Sequence, residues 1–237
     1  MSERRIRTIG IIGAMEEEVS GLKENMTEVS TEERAGMTFY RGKLEGKDAV
    51  VVCSGIGKVN AAACAQILAD CWQVDAIMNT GIAGSLREEV GIGDIVLSVD
   101  AVQHDFDCVG FGYPLGVIPR MDTSVFPADP ELLDLAEKCC REVNPETGVF
   151  RGRVASGDVF VSSAARKAEI LKNFDGWCCE MEGASIAQVA HINRIPWLII
   201  RAISDKADGT AAETYDKFQD EAIKHFLRLT LAMVKQL

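Results

Sequence analysis

The stretch WLIIRAISD, residues 197–205, joins an apolar run to an arginine and an aspartate. The run Trp197–Ile203 predicts a buried strand, and a protein core requires neither Arg201 nor Asp205 where such a strand ends. Ligands of open α/β sheets bind at the carboxyl ends of the strands. Asp205 is therefore a candidate for chemistry. The alternative is that Asp205 caps the next helix and pairs with Arg201, and this stretch alone favours neither interpretation.

Strand-like and helical patterns alternate outward from this stretch along all 237 residues. Short β-rich runs predict strands at Ile6–Ile12, Met37–Leu44, Ala49–Cys53, Asp75–Asn79, Ile95–Val102 and Arg153–Ser156. Helices are predicted at Val59–Cys71, Asp129–Val143, Ser163–Asn173, Glu182–Asn193 and Glu213–Leu237, and one more follows the first strand. This alternation predicts a single α/β domain over residues 1–237, with a largely parallel or mixed sheet and helices on both faces. Residues 1–5 are expected to form a disordered tail.

The chain is acidic, with a formal net charge of -11, and it contains 47% hydrophobic and 26% charged residues. This balance is typical of a globular protein with a sizeable core. The negative charge argues against nucleic-acid binding, which would need a basic patch, and against an anionic membrane surface. No run approaches the roughly 18 apolar residues of a membrane span, and the N-terminus lacks the apolar region of a signal peptide. The net charge does not exclude the binding of neutral or cationic small ligands.

The eight cysteines form two adjacent pairs, Cys139-Cys140 and Cys178-Cys179, and four singles. Their spacing contains no C-x-x-C and no zinc-type pattern. Reduced, mostly buried thiols in a cytoplasmic protein are the better interpretation.

The region from Gln103 to Pro127 has no clear secondary-structure pattern. Loops longer than about 12–15 residues are uncommon in compact domains and tend to be functional. This one carries Phe106, Phe111 and Tyr113, which is too apolar for a solvated loop. The region is expected to fold over a ligand, to meet another subunit, or both.

Several glycine-rich stretches invite a nucleotide-binding interpretation. Residues 54–58, SGIGK, lack the first glycine of a phosphate loop and have Val59 where Ser or Thr should follow the lysine. Residues 10–13, GIIG, likewise lack the three-glycine spacing of a dinucleotide fingerprint. A turn at Gly81-Ile82-Ala83-Gly84 would instead bring backbone N–H groups close to a ligand above the sheet.

Carboxylates follow several of the predicted strands. Glu16, Glu17 and Glu18 open a helix, where acidic residues complement the helix dipole, and this explains at least two of them. Residues 180–182, EME, also precede a helix, with a methionine between two carboxylates. The carboxyl ends of these strands should face one side of the sheet, so one pocket could gather the acids with Asp205. Residues 104–107, HDFD, are interpreted as loop hydrogen bonding rather than as a metal cluster.

Six motifs in register resemble a known family. They are IGIIGAMEEE at residues 9–18, SGIGKV at 54–59, NTG at 79–81, SGD at 156–158, EME at 180–182 and RAISD at 201–205. Their order, from about Ile6 to the C-terminus, is similar to that in bacterial 5'-methylthioadenosine/S-adenosylhomocysteine nucleosidases. The resemblance implies the nucleoside phosphorylase-like fold, a three-layer α/β/α sandwich with a central mixed, twisted sheet. It also implies a homodimer, an adenine nucleoside substrate, and no metal or organic cofactor.

The resemblance further implies hydrolysis of an N-glycosidic bond, with release of adenine and a 5-thioribose product, as a step of methionine salvage. Asp205 would give a proton to purine N7, and Glu18 would activate water on the opposite face of the sugar. Glu182 would accept the ribose hydroxyls. The implied substrate pocket comprises Ala14, Met15, Ile56, Ile82, Ala83, Gly84, Phe160, Val161, Glu180, Met181, Glu182, Arg201, Ser204 and Tyr215. Phe160 would stack on adenine, and Val161 would supply backbone contacts to it. Ile56 and Tyr215 would line the pocket around the 5' substituent. Three further residues would close the pocket of the partner subunit, namely Cys108, Phe111 and Pro119.

One position departs from the family pattern, because Ile82 stands where a serine usually helps to position the water. Three alternatives stay open: a phosphorylase, a non-catalytic nucleoside-binding protein, and a hydrolase that prefers 5'-deoxyadenosine or aminodeoxyfutalosine. A carboxylate at Glu18 would repel phosphate, which favours hydrolysis over phosphorolysis. Pure binding would need neither Glu18 nor Asp205.

Overall fold

The computed structural model describes residues 6–237, so the tail predicted at residues 1–5 lies outside the described residues. Ten strands run over Thr8–Gly13 (β1), Met26–Arg34 (β2), Met37–Leu44 (β3), Lys47–Cys53 (β4), Ala76–Ser85 (β5), Ile95–Gln103 (β6), Phe126–Pro127 (β7), Val149–Ser156 (β8), Cys178–Glu180 (β9) and Trp197–Asp205 (β10). Six α-helices run over Glu16–Glu24 (α1), Lys58–Ile67 (α2), Pro130–Val143 (α3), Ala164–Phe174 (α4), Gly183–Asn193 (α5) and Ala211–Gln236 (α6). The alternation predicted from the sequence is thus confirmed.

The strands form one mixed sheet in the order β10-β6-β8-β9-β5-β1-β4-β3-β2, with β7 beside β6. β10 also pairs in parallel with β5, so that five of the strands close into a ring while β1 to β4 extend from it. The parallel strands β1, β5 and β10 lie side by side and therefore end on the same side of the sheet.

Helices cover both faces of this sheet, which confirms the three-layer arrangement. One apolar cluster packs α1, α3 and α6 against one face, with Leu22, Leu132 and Phe226 fully buried or nearly so. A second cluster packs α2 and α5 against the other face, with Ala61 and Ala187 at its centre. The small side chains let α2 and α5 approach the strands closely, because apolar interiors are close-packed. The sheet is therefore covered by an apolar cluster on each face.

Four features of the sheet differ from the prediction. Three strands were not predicted: β2, whose side chains are exposed after Met26, β7, which has two residues, and β9, which has three. The glycine turn predicted at residues 81–84 is wrong, because β5 continues through them to Ser85. A side chain at Gly81 would collide with Arg201 and Glu18, so glycine here permits close approach inside a strand.

Side-chain caps begin two of the helices. Asp129 accepts hydrogen bonds from the backbone of Glu131 and Leu132 at the start of α3, and Ser163 caps α4. The segment between β6 and β7 is irregular apart from one 3₁₀ turn, Val109–Phe111. All eight cysteines are free thiols, five of them buried. Among residues 6–237, no helix has both the length and the apolar composition needed to cross a membrane.

Candidate active site

A cavity of about 470 Å³ opens at the carboxyl ends of β1, β5, β9 and β10. Its lining residues come from chain segments far apart in sequence, namely Ala14, Met15, Glu18, Ile56, Ile82, Ala83, Gly84, Phe160, Cys179, Glu180, Met181, Glu182, Ser204, Asp205, Ala212 and Tyr215. The structure thus brings Glu18, Glu180, Glu182 and Asp205 together in one cavity. A second cavity of about 540 Å³ lies near Trp197 at the opposite end of β10 and contains none of these acids.

Glu18 lies in the first turn of α1 and is only 3% exposed. One carboxylate oxygen accepts the backbone N–H groups of Ala14 (2.6 Å) and Met15 (3.1 Å), which also satisfies the start of the helix. The other oxygen accepts the N–H of Ile82 at 3.0 Å. Burial raises the pKa of Glu18, although the charge of Arg201 and these three backbone donors work to lower it. Glu18 thus both stabilises the start of α1 and lines the cavity. Glu16, in contrast, forms an ion pair with Lys23 and does not line the cavity.

Arg201 lies beneath the cavity rather than in its lining and is 1% exposed. Its guanidinium donates to Glu180 and Asn79, and it lies 3.7 Å from Glu182. The alternative in which Arg201 pairs with Asp205 is therefore wrong. Burial alone would lower the pKa of Arg201, but the surrounding carboxylates outweigh burial and raise it, so the group stays charged.

Glu180 and Glu182 share this cation, but their surroundings differ. Glu180 accepts hydrogen bonds from Arg201, from the hydroxyl of Ser156 and from the backbone of Gly183 at 2.7 Å. Glu182 accepts the N–H of Gly57 at 2.9 Å, and burial together with the nearby Glu180 charge raises its pKa to about 7. Glu182 is the less satisfied acceptor, so it is the better placed of the two to bind hydroxyl groups of a ligand.

Asp205 ends β10 and is 2% exposed. Its carboxyl accepts the hydroxyl of Ser204 at 2.9 Å and the N–H of Ala207 at 2.8 Å. Helix α6 begins only at residue 211, so Asp205 does not cap it. Burial raises the pKa of Asp205. A buried carboxyl group with a raised pKa, in a cavity, is suited to general acid catalysis.

Apolar side chains form the mouth of the cavity. Phe160 is 47% exposed and Ile56 is 55% exposed, and the ring of Phe160 meets that of Tyr215 edge to face at 6.3 Å. The hydroxyl of Tyr215 donates to the sulfur of Met15 at 3.2 Å. Val161 is not in the lining of the main cavity but faces a small recess beside Phe160 and Asp205. The floor of the site is polar and buried, and the mouth is apolar and open.

Cys108, Phe111 and Pro119 lie on the irregular segment between β6 and β7 and do not line the cavity of their own chain. Phe111 is 86% exposed, the most exposed large apolar side chain of the described residues, and Val109 beside it is 53% exposed.

Two lining residues, Cys179 and Ala212, were not predicted from the sequence. Cys179 is 5% exposed and precedes the predicted EME motif by one residue, on a strand too short to be recognised. Ala212 lies in the first turn of α6, one residue before the predicted start of that helix. Both carry side chains without a chemical signature, so no sequence signal distinguished them from core residues.

Comparisons with known proteins agree with this geometry. A family model described as the phosphorylase superfamily matches residues 8–235. The 5'-methylthioadenosine/S-adenosylhomocysteine nucleosidase of Staphylococcus carnosus (strain TM300) is 40% identical over 232 residues, which cover 97% of this chain and 100% of the relative. The corresponding nucleosidase of Treponema pallidum (strain Nichols) is 40% identical over 97% of this chain and 93% of its own length.

Solved structures show the same likeness. The 5'-methylthioadenosine/S-adenosylhomocysteine nucleosidase from Neisseria meningitidis, in complex with methylthio-immucillin-A, superposes with a TM-score of 0.93 at 38% identity, covering 98% of this chain and 100% of that one. Futalosine hydrolase of Helicobacter pylori strain 26695 superposes with a TM-score of 0.93 at 32% identity, covering 98% and 99%.

The mixed sheet, the flanking helices and the pocket at the strand ends define an α/β protein of the phosphorylase superfamily. Within that superfamily, the chain belongs to the 5'-methylthioadenosine/S-adenosylhomocysteine nucleosidase family.

Proposed function

We propose that this protein hydrolyses the N-glycosidic bond of 5'-methylthioadenosine and S-adenosylhomocysteine, releasing adenine and the 5-thioribose product. The observation that carries the proposal is that Glu18 and Asp205, two buried carboxyl groups from different strand ends, line the same cavity. Both have a raised pKa because of burial. Glycoside hydrolysis uses such a pair, one acid to protonate the leaving group and one base to activate water.

Asp205 is the proton donor in this proposal. Adenine is a poor leaving group, and protonation at purine N7 lets it depart as a neutral base. The hydrogen bond from Ser204 and the N–H of Ala207 hold the Asp205 carboxyl in one orientation at the strand end. Such positioning of an acid contributes typically about 10²–10⁴-fold to a rate.

Glu18 is the proposed base. Its three backbone donors fix both oxygens and favour the ionised form, which can take a proton from a water molecule. Arg201, beneath the cavity, and Glu180, in its lining, supply a fixed charge network next to this carboxylate. A cationic ribosyl transition state would be stabilised by the negative charge of Glu18 as well.

The remaining lining residues are assigned to parts of the substrate. Glu182 accepts the ribose hydroxyls, and Met181 lies against the sugar. Phe160 stacks on adenine, with backbone contacts from Val161, and the apolar wall of Ile56 and Tyr215 faces the 5'-thio group. The wall is apolar and open at the mouth, in keeping with an apolar substituent of variable length.

The first test is release of adenine from 5'-methylthioadenosine in buffer without phosphate, followed by chromatography. We expect turnover, with free thioribose as the second product. A strict requirement for phosphate, with a sugar 1-phosphate as product, would make the protein a phosphorylase. Tight binding of the nucleoside without release of adenine would make it a binding protein.

A second candidate within the same chemistry is a preference for a different 5' substituent. The likeness to a futalosine hydrolase, at a TM-score of 0.93, favours including aminodeoxyfutalosine among the substrates tested. Values of kcat/KM for 5'-methylthioadenosine, S-adenosylhomocysteine, 5'-deoxyadenosine and aminodeoxyfutalosine would rank them. A preference for aminodeoxyfutalosine would move the chain to that specificity without changing the roles of the two acids.

We also propose that the protein acts as a cytoplasmic homodimer. The apolar segment around Phe111 is exposed in one chain, and large exposed apolar side chains mark interaction sites. In the dimer Cys108, Phe111 and Pro119 would close the open mouth of the partner's cavity. Sedimentation should give a dimer, and Phe111→Ser should weaken it and raise KM more than it lowers kcat. The free thiols are in keeping with a reducing compartment.

A further inference from the structure

Three residues, Lys58, Asp105 and Asp158, form a closed ring of hydrogen bonds behind the mouth of the cavity, and they do not line it. The ammonium of Lys58 donates to Asp105 at 2.6 Å, and the backbone N–H of Asp158 donates to the other carboxylate oxygen of Asp105 at 2.8 Å. The backbone N–H of Lys58 donates to the carboxylate of Asp158 at 2.8 Å. We call these three residues the rim clamp. They tie together three segments that are more than 40 residues apart in sequence.

Each of two tied segments carries a pocket wall. Ile56 lies two residues before Lys58, and Phe160 lies two residues after Asp158, so the rim clamp fixes the spacing between these walls. Gly57, between Ile56 and Lys58, donates its N–H to Glu182 at 2.9 Å.

Gly57 does not by itself fix the direction of the N–H that it donates to Glu182. It has a φ of +98°, which side-chain-bearing residues rarely adopt, and a side chain there would press on the carboxylate of Asp158 at 3.1 Å. Glycine is flexible in isolation, so a defined direction for its N–H requires support from its neighbours. The bonds made by Lys58 supply that support immediately next to it.

The clamp is also partly shielded from water. The side chains of Lys58 and Asp105 are 16% and 21% exposed, and Gln103 accepts a further hydrogen bond from Lys58 at 3.0 Å. Burial works to raise the pKa of Asp105, but Lys58 and the N–H of Asp158 outweigh it and lower the pKa. Asp105 is therefore ionised at neutral pH, and its contact with Lys58 is less screened than a surface ion pair.

We propose that Lys58 and Asp105 are positioning residues that hold the Gly57 N–H on Glu182 and so determine how strongly the site selects a ribose with free hydroxyl groups. The inference rests on the proposed function, in which Glu182 binds those hydroxyls. Without the clamp, Glu182 loses a fixed donor and a fixed orientation, and a carboxyl group that is poorly oriented binds hydroxyls weakly. The chemistry at Asp205 and Glu18 does not pass through this ring.

The test compares Lys58→Met and Asp105→Asn with wild type on 5'-methylthioadenosine and on its 2'-deoxy form. We expect KM for the riboside to rise about tenfold, as for loss of a hydrogen bond to a charged group, with kcat within about threefold. The preference for the riboside over the 2'-deoxyriboside should fall at least about fivefold. Lys58→Arg, which keeps the charge, should restore much of the preference, and Lys43→Met, at the exposed pair with Asp48, is the matched control.

An equal loss of kcat/KM for both nucleosides would show that the clamp only supports the fold, and no change would show that Gly57 needs no support; either result overturns the inference. Failure of the proposed function appears separately, as absence of adenine release by wild type. In that case calorimetric binding of the same two nucleosides tests the clamp, and the inference requires that Lys58→Met still lowers the affinity ratio.

Discussion

Glu18 and Asp205 are almost equally buried, at 3% and 2% exposure, yet the groups around the two carboxyls differ in kind. Glu18 accepts three backbone N–H groups, which can only donate, and it lies near the charge of Arg201. Asp205 has one backbone donor and the hydroxyl of Ser204, which can donate or accept, and the nearby Asp208 opposes its ionisation.

This difference in donors assigns the roles that burial alone leaves undecided. Burial raises the pKa of both groups. Donors that cannot accept a hydrogen bond favour a carboxylate, whereas a hydroxyl can turn to serve a protonated carboxyl. Glu18 is thus the better base and Asp205 the better acid, and both assignments are open to test.

The largest expected effect is that of Asp205→Asn, because adenine then has no proton donor. We expect kcat for 5'-methylthioadenosine to fall about 10³-fold, while the dissociation constant of the nucleoside changes by less than about threefold. Rapid-quench kinetics and calorimetry measure the two quantities. A loss of binding as large as the loss of rate would show that Asp205 recognises the substrate instead of protonating it.

The same variant should be at least as stable as wild type at neutral pH. The pKa of Asp205 is higher in the folded than in the unfolded chain, so the folded state binds the proton more tightly. Stability therefore falls as pH rises through the interval from the unfolded to the folded pKa, and the neutral amide escapes this loss. A thermal melt of Asp205→Asn below that of wild type at pH 7 would contradict the sign.

Glu18→Gln should have the second largest effect, about a 10²-fold loss in kcat. The amide keeps one oxygen, which can accept the N–H groups of Ala14 and Met15, but its NH2 cannot accept the N–H of Ile82, and the amide cannot take a proton from water. Addition of a small nucleophile such as azide should recover part of the rate, since azide needs no base. If azide gives no recovery while binding is intact, Glu18 has a role other than activating water.

The pH dependence of kcat/KM should reveal Glu18 on its acid limb and Asp205 on its alkaline limb. Activity requires Glu18 ionised and Asp205 protonated, so kcat/KM should fall about tenfold per pH unit below the raised pKa of Glu18 and above the raised pKa of Asp205. Ionisation of Glu182, with a pKa of about 7, contributes to the acid limb. In Asp205→Asn the alkaline limb should disappear from the residual activity, and its persistence would assign that limb to another group.

Much of this arrangement could be predicted from residue patterns. Strand β3 was predicted with its observed bounds because Met37–Leu44 alternates between a buried and an outer face. Strand β2 could not be recognised because it is an outer strand whose polar side chains face solvent on both sides. The continuation of β5 through Gly81 depends on Arg201 and Glu18, which are remote in sequence and reach the glycine only in the fold.

The site was predictable where chemistry marks a residue and not where geometry alone selects it. The acids were visible as carboxylates after strands, and Asp205 was found in this way. The partner of Arg201 was not predictable, because Glu180 and Asp205 both follow strands and only the sheet order brings Glu180 to the guanidinium. Arg201 lies below the cavity because β10 is paired on both sides, with β5 and with β6, and is buried along its length.

The smallest expected effect concerns Ile82. This position usually holds a serine in the family pattern. The structure shows that Ile82 serves Glu18 through its backbone N–H, at 3.0 Å, and any residue other than proline keeps that donor. Its side chain is 7% exposed and packs in an apolar cluster.

Ile82→Thr, which keeps the branched shape and adds a hydroxyl, should therefore change kcat by less than about threefold. It should also destabilise the fold by about 1–3 kcal/mol, because a polar group replaces apolar volume in the core. Steady-state kinetics and chemical denaturation measure the two effects. A change in kcat above about tenfold would mean that this side chain positions the water, and the contrast drawn between backbone-held Glu18 and hydroxyl-held Asp205 would then have to include it.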